Sequence, residues 1–465
     1  MNKKQQFDAV IIGAGQGGIP LATTMSSKGW KTALIERDHV GGTCINTGCT
    51  PTKTMVGSAR VAYIAKRSED YGIQTGPVTT DMETVRNRKR NIVNRFRQST
   101  LERIQNSEVT LFRGEASFTD SKTIMVNMND GSKLELQSEI IIIDTGARPR
   151  IPEISGLEQV PYLNSTTIME LDEVPDHLII VGGGYVGLEF SQMFRRFGSS
   201  VTIIQRANQL LTHEDEDVAQ AVKDILEDDG IRIMLNSRPT SIKTLDGTIH
   251  LMVEGGNAEE THTLTGSHIL IAAGRVPNIE ILDLESASIK MDESGHIQVD
   301  ERLQTSVDGV YAIGDVKGGP AFTHISYDDF RILRENLLGV ANARTNNRLI
   351  PYTVFIDPQL GRVGISEKQA NAQGIPYHLA KIPMAYSSRA IEIDQSRGFM
   401  KALIGPDSKH ILGCAVLGYQ GGEIMAILQV AMMAKLPYPT LQEAIFTHPT
   451  IAETLNTLFA NVEEA

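Results

Sequence analysis

Phe7-Asp8-Ala9-Val10-Ile11-Ile12-Gly13-Ala14-Gly15-Gln16-Gly17-Gly18 sets the fold. A short β-rich apolar run, Phe7 to Ile12, passes directly into the glycines, and a helical stretch then runs to near Gly29. A second apolar run, Thr32 to Ile35, ends in Glu36. Each part has a physical task. Gly13, Gly15 and Gly18 permit a tight turn and close backbone approach, the helix N-terminus takes a pyrophosphate, and an acid about 20 residues on holds ribose hydroxyls. The glycine spacing alone would also fit an ordinary turn. Strand, helix, second strand and terminal acid in register make it a dinucleotide fingerprint.

The pattern then repeats. His177 to Val181 is an apolar strand, Gly182-Gly183-Gly184-Tyr185-Val186-Gly187-Leu188-Glu189 follows, a helix continues to Phe197, and Val201 to Ile204 is the next strand. Gly182, Gly184 and Gly187 stand as Gly13, Gly15 and Gly18 do, so the chain binds two dinucleotides. The second strand ends in Gln205-Arg206 in place of an acid. An acid there would repel a 2′-phosphate, whereas a neutral residue beside Arg206 accommodates one, which favours NADPH over NADH. Alternatively, Arg206 simply faces solvent, and NADH stays possible.

Working outward, Glu139 to Asp144 is a strand closing in Thr145-Gly146-Ala147-Arg148-Pro149, and His268 to Ala273 runs into a similar turn at Gly274-Arg275-Val276-Pro277-Asn278. Val310-Tyr311-Ala312-Ile313-Gly314-Asp315 delivers Asp315 at a strand's C-terminal edge, where ligands of open α/β sheets bind. Thr110 to Phe118, with Gly114, reads as a strand, and Met82 to about Gln105 as a charged helix. In that helix Arg86-Asn87-Arg88-Lys89-Arg90 reads as a solvated face. Past about residue 346 the character changes, and alternating strands and amphipathic helices indicate an α+β end domain.

Two of the three cysteines lie in Gly41-Gly42-Thr43-Cys44-Ile45-Asn46-Thr47-Gly48-Cys49-Thr50-Pro51-Thr52-Lys53. Gly48 and Pro51 force a tight turn before a helix expected from about Thr52. A thiol near a helix N-terminus meets the positive end of the dipole, which stabilises thiolate over thiol. A redox pair and a fortuitous buried pair both fit that spacing. A zinc site would need two more ligands, and no Cys/His cluster supplies them, so no metal site is expected. Cys414, among Ile411, Leu412, Ala415 and Val416, reads as a small buried hydrophobe.

With 465 residues the chain is long enough for about three domains. A net charge of −12 argues against a nucleic-acid partner. Three cysteines cannot form a disulfide framework, which points to the reducing cytoplasm. Met1-Asn2-Lys3-Lys4 resembles a signal-peptide start, but Asp8 and the following glycines break any apolar segment, and the start reads as a strand. Ile424 to Leu436 is too short to span a bilayer, so no membrane segment is expected.

Phe446-Thr447-His448-Pro449-Thr450-Ile451-Ala452-Glu453 admits two readings. Thr450 and Glu453 have capping-box spacing, which would leave His448 an extended loop residue; that is the reading local sequence favours. Alternatively, Glu453 orients His448 as an acid/base.

Together these motifs resemble the flavoprotein disulfide reductases, the family of dihydrolipoamide dehydrogenase, glutathione reductase and mercuric reductase, over essentially the whole chain. The resemblance implies an α/β protein with two Rossmann-like dinucleotide-binding domains and an α+β C-terminal dimerisation domain. Residues 1–150 and 271–345 would form the two segments of the FAD-binding domain, 151–270 the NAD(P)-binding domain, and 346–465 the dimerisation domain. FAD would lie on the first fingerprint, with Glu36 on the adenosine ribose, Gly114 near the adenine and Asp315 near the ribityl chain. Lys53 would lie by the flavin, paired with Glu189, and Tyr185 would cover the flavin face until the nicotinamide displaces it. Thr43, Gly146 and Gly274 complete the expected cofactor-binding positions.

The same resemblance makes Cys44 and Cys49 a redox-active disulfide, with Cys49 on the flavin side and Cys44 attacking the substrate. His448, oriented by Glu453, would act on the cysteines of a second copy, so a homodimer with a shared active site is implied. The implied activity is NAD(P)H-dependent reduction of a small disulfide or oxidised sulfur species. Two alternatives are a mercuric or copper ion reductase and a dihydrolipoamide dehydrogenase component of a larger complex. The sequence ends Asn461-Val462-Glu463-Glu464-Ala465, without the cysteine pair of mercuric reductases. Gly318 to Arg331 and Ile445 to Pro449 look most like the mercuric reductase-like and reactive-chlorine-resistance branch.

Overall fold

The computed structural model describes residues 3–255, 261–339, 341–346 and 348–463. Met1, Asn2, Glu464 and Ala465 therefore lie outside it, although the strand expected near the start is present as Lys3–Gln6. Two compact units emerge. One comprises residues up to Met55 with Glu83–Arg150 and Gly274–Arg348, the other Val56–Met82, Ile151–Ala273 and residues from Leu349 onward.

In the first unit Ala9–Ile12 is the first strand of a parallel sheet, flanked by Thr32–Glu36 and by Ile140–Ile143. Thr110–Asp120 lies beyond Thr32–Glu36, and Val310–Ala312 beyond Ile140–Ile143, both parallel to their neighbours. The central strands read Ala-Val-Ile-Ile and Ile-Ile-Ile-Ile, which is the continuous apolar pattern of strands buried on both faces. Along the other edge Thr110–Asp120 turns into an antiparallel meander with Thr123–Met128 and Lys133–Gln137, and Lys3–Gln6 pairs with the last of these. The order third, second, first, fourth leaves a crevice beyond the ends of Ala9–Ile12 and Ile140–Ile143, where strand order reverses and such sheets bind ligands.

Met82–Gln105 is a single helix. The basic run within it is not uniformly solvated, because Lys89 is only 3% exposed. Helical periodicity explains the correction: Lys89 shares a stripe with buried Val93, Thr100 and Ile104.

The second unit repeats the parallel arrangement. His177–Val181 lies between Ser200–Ile204 and His268–Ile271, and Arg232–Met234 extends the sheet. Between the last two in sequence lies an antiparallel meander, Arg238–Leu245, Thr248–Glu254 and Thr261–Gly266, whose inward residues Ile242, Ile249, Leu251, Val253 and Leu264 join the same core. The C-terminal part is a six-stranded, antiparallel-paired sheet. Tyr352–Val354, Gln359–Gly364, Ile411–Gly418, Phe399–Ile404, His378–Pro383 and Val462–Glu463 follow in that spatial order. Gly421–Met433 and Thr454–Ala460 add Ile424, Met425, Leu428, Leu455 and Leu458 to its core. The architecture is thus two α/β dinucleotide-type sheets with an antiparallel C-terminal sheet. No helix of the described residues is long and apolar enough to cross a membrane.

Candidate active site

The two glycine motifs are built alike. Gly13 and Gly182 have φ of 104° and 119°, and a Cβ on either would fall 2.2 or 2.4 Å from a carbonyl oxygen, of Asp144 or Ala272. On Gly18 or Gly187 a Cβ would come within 2.6 or 2.1 Å of the carbonyl of Gly13 or Gly182. No side chain fits either place, so the loop lies flat and the helix starts against the strand. The helices Gly18–Ser27 and Tyr185–Phe197 follow.

Even the ends of the second strands correspond. Glu36 Oε2 accepts the Ala14 N–H at 2.9 Å, and Gln205 Oε1 accepts the Gly183 N–H at 3.1 Å. The first loop is therefore held by a carboxylate, the second by a neutral amide. Gln205 Nε2 in turn donates to the Gln209 carbonyl at 3.1 Å, which fixes which end of the amide faces the loop. Arg206, next in sequence, is exposed.

The cysteine stretch packs on the first glycine loop. Gly41 N–H donates to the Ala14 carbonyl at 2.8 Å, Gln16 Nε2 donates to the Gly41 carbonyl at 2.9 Å, and a Cβ on Gly42 would fall 2.9 Å from Gly15 Cα. Thr43 and Cys44 lie on a short helix, Gly42–Asn46. Asn46 Nδ2 closes that helix onto the Val40 and Gly42 carbonyls at 3.2 and 2.9 Å, and Arg97 holds its other side-chain atom.

The next helix is Cys49–Lys66, so it begins three residues earlier than the Thr52 start expected from sequence. Gly48 supplies the first accepting carbonyl, to Thr52 N–H at 3.1 Å. Pro51 then sits within the first turn, where its missing N–H costs nothing. Cys49 is thereby the first helical residue, at the positive end of the dipole. Its Sγ lies 3.3 Å from the Thr323 hydroxyl, at the start of helix Thr323–Leu338.

Both cysteines are free thiols in contact. Cys44 is pushed far above an ordinary thiol's pKa, first by its hydrogen bond to Cys49 and then by burial and by the Cys49 charge; Thr323 and Lys53 act weakly the other way. The contact and burial therefore favour the protonated form of Cys44. By contrast Cys414 is wholly buried, and burial raises its pKa to about 12, which leaves it inert as expected.

The remaining expected positions divide between the units. In the first, Asp315 lies on the turn Gly314–Lys317, with Arg275 Nε at 3.6 Å; burial raises its carboxyl above the usual range. Gly146 and Gly274 have φ of 67° and 100°, with nothing within 4 Å of an added Cβ. Gly114 has a packing reason of its own, since a Cβ there would fall 2.4 Å from the Asn127 carbonyl on the neighbouring strand. The cradle fits a flavin dinucleotide: a flat glycine loop at a helix N-terminus, a terminal acid at Glu36, and Asp315 on the adjoining strand end.

In the second unit Tyr185 is the first residue of its helix and partly exposed, while Glu189 is buried and accepts the Phe355 N–H at 2.9 Å. His448 and Glu453 meet as the acid/base reading requires. His448 Nδ1 lies 3.0 and 3.1 Å from the two Glu453 oxygens. Half of the capping box forms as well, because Thr450 Oγ1 accepts the Glu453 N–H at 3.3 Å. Its reciprocal arm, the Glu453 carboxylate, goes to His448. His448 is 71% exposed and lines a hollow of about 250 Å³ with Tyr386, Ser387, Ser388 and Asn456.

Sequence reasoning missed Asn46, Thr323 and Asp144. All three stood inside stretches singled out from sequence, but none was given a role, because the partners of Thr323 and Asp144 come from distant segments.

The family model described as pyridine nucleotide-disulphide oxidoreductase matches residues 7–329, and that of its dimerisation domain matches residues 350–459. RclA of Escherichia coli, described as a probable pyridine nucleotide-disulfide oxidoreductase, is 38% identical over 468 residues and 100% of both chains. Mercuric reductase of Staphylococcus aureus is 31% identical over 455 residues, covering 98% of this chain and 82% of its own. A solved structure titled as the Cu(II) complex of the HOCl-induced flavoprotein disulfide reductase RclA from Escherichia coli matches with a TM-score of 0.89 and 38% identity over 99% of each chain.

Proposed function

The chain belongs to the pyridine nucleotide-disulphide oxidoreductases, and from that premise we propose that it is an NADPH-dependent, FAD-containing reductase of a small disulfide or oxidised sulfur species. The observation that carries this reading is the thiol pair itself. The Cys44 and Cys49 side chains meet at the N-terminus of an 18-residue helix, in a stretch that packs on the first dinucleotide loop.

FAD, when bound on the first glycine loop, would supply the pair with two electrons drawn from the nicotinamide. The chain's own residues do the rest. Cys44, which holds the proton, needs a base before it can attack. His448 of a second copy takes that proton, with Glu453 fixing its ring by the Nδ1 contact. Cys44 sulfur then bonds to one sulfur of the acceptor, and the second acceptor sulfur leaves, taking a proton from the histidine. Cys49 attacks Cys44, the first acceptor sulfur leaves and takes a second proton, which His448 relays from solvent, and the Cys44–Cys49 disulfide remains. Two electrons and two protons have passed to the acceptor.

His448 and Glu453 both lie in the segment that matches the dimerisation domain, which supports a homodimer whose copies complete each other's sites. The neutral Gln205 beside exposed Arg206 supports NADPH over NADH. Anaerobic titration with each nucleotide tests both points: a long-wavelength band at the two-electron stage, reached more readily with NADPH, is expected. Direct bleaching without that band would overturn the disulfide route.

A second reading is metal-ion reduction. It rests on the Cu(II) complex of the similar RclA structure and on the affinity of paired thiolates for soft metals. NADPH oxidation sustained by Cu(II) or Hg(II) would support it, and inhibition by the same ions would refute it.

A further inference from the structure

Asp144 has no part in the electron route described above, yet its carboxyl lies inside the first glycine loop. It is the residue after Ile140–Ile143, at the point where strand order reverses. Its own N–H donates to the Ile12 carbonyl at 2.7 Å, and its Oδ2 accepts the Gly18 N–H, at the first residue of the helix, at 2.7 Å. A Cβ on Gly15 or Gly18 would fall 2.5 or 2.8 Å from Oδ2, so the carboxyl occupies the space those glycines leave. Oδ1 also lies near the loop, 3.2 Å from a Cβ on Gly15, and reaches the next turn. A Cβ on Gly314 would fall 3.0 Å from it and 3.1 Å from Ser326 Oγ. One carboxyl thus joins the glycine loop to the turn that carries Asp315.

The electrostatics around it are one-sided. Glu36 at the end of Thr32–Glu36, Asp315 on Gly314–Lys317 and Asp329 on Thr323–Leu338 all act on Asp144 as like charges. The nearby cations are engaged elsewhere: Lys317 and Arg348 lie 3.3 and 2.9 Å from Asp329, and Arg275 lies 3.6 Å from Asp315. Asp144 is 7% exposed. Burial first, then these charges, push its carboxyl well above the usual range, and the Gly18 N–H offsets only part of this. A helix N-terminus favours one anion. An ionised Asp144 would set a second negative charge beside a bound diphosphate, whereas a carboxylic acid keeps an acceptor for Gly18 without the charge.

We propose that Asp144 is a positioning residue for the FAD diphosphate and acts in its neutral form, so that at pH values where the free protein has ionised this carboxyl, cofactor binding takes up one proton there. This rests on the reading that FAD occupies the first glycine loop. The test is FAD dissociation from the purified full-length holoprotein, followed by flavin fluorescence from mildly acidic to alkaline pH, for wild type, Asp144→Asn and Asp144→Ala. Coupling to one proton predicts that the wild-type Kd is flat while the free protein keeps Asp144 neutral and rises about tenfold per pH unit once it ionises. Asp144→Asn, neutral at every pH and still an acceptor for Gly18, should lose that slope and hold FAD more tightly at alkaline pH. Asp144→Ala should weaken binding at all pH values. A flat wild-type profile, or the same slope in wild type and Asp144→Asn, would overturn the inference and leave the cofactor reading intact. Failure of wild type to hold FAD at any pH would overturn both.

Discussion

Replacing Glu453 with Ala removes the carboxylate that faces His448. His448 is 71% exposed, and the 3.0 and 3.1 Å contacts from Nδ1 are the ones that set its ring. A hydrogen bond to a charged group contributes about 1.5–3 kcal/mol, and an exposed one lies at or below the lower end, so about 1–2 kcal/mol of orientation is lost. If only the oriented ring reacts, acceptor turnover falls about 5- to 30-fold, the factor that corresponds to that energy. Glu453→Gln keeps an acceptor without the charge and should fall between wild type and Glu453→Ala. The assay separates two half-reactions: rapid-mixing flavin reduction by NADPH, and steady-state NADPH oxidation with a disulfide acceptor. Only the second should slow. Equal slowing of both, or full acceptor turnover in Glu453→Ala, would refute the argument, because a group acting only on sulfur chemistry cannot alter flavin reduction.

Cys44→Ser should keep NADPH-dependent flavin reduction and lose acceptor turnover; wild-type turnover in that variant would end the thiol mechanism. Gln205→Glu keeps the acceptor for Gly183 and adds a negative charge beside Arg206, so the kcat/KM ratio of NADPH to NADH should drop by about tenfold or more, a change of about 1.4 kcal/mol. An unchanged ratio would show that Gln205 does not read the 2′-phosphate. Lys401 is 0% exposed and lies 2.9, 2.8 and 2.7 Å from Asp215, Asp217 and Glu367. Lys401→Met strands those carboxylates and should cost about 3–5 kcal/mol in urea unfolding at neutral pH. Burial opposes ionisation of Asp215 and Asp217, but the Lys368 N–H, Lys381 and Lys401 outweigh it, and both are held below the usual range. Their stabilisation is present above the unfolded carboxylate pKa of about 3.9 and is lost as pH falls through the folded values, so the deficit of the variant should shrink in acid. A deficit independent of pH would refute that assignment.

How far the sequence reached depended on the range of the interactions involved. The strands Ala9–Ile12 and His177–Val181, their glycine turns and the following helices were legible because each is decided within about 30 residues, by apolar runs and by places where no Cβ fits. The helix start at Cys49 was misplaced because Pro51 reads as a breaker, although in the first turn it breaks nothing. Lys89 was misread for a related reason. A charge run has one appearance in sequence, but a helix turns each of its members toward a different neighbour. The meander from Arg238 to Gly266 went unnoticed, since its half-buried alternation carries little apolar signal by itself.

By itself the sequence determined that there are two dinucleotide loops, that one ends in an acid and the other in an amide, and that two thiols lie beside a helix start. These are properties of contiguous residues. The folded structure decided that the Cys44 thiol is pushed up, by its contact with Cys49 and then by burial. It also set Thr323 against Cys49 across 274 positions, and it joined both arms of the His448 motif at Glu453. The same holds for Asp144, whose carboxyl reaches Gly18 across 126 positions. An ionisable group takes its charge state from what surrounds it, and those surroundings are assembled only when distant segments pack.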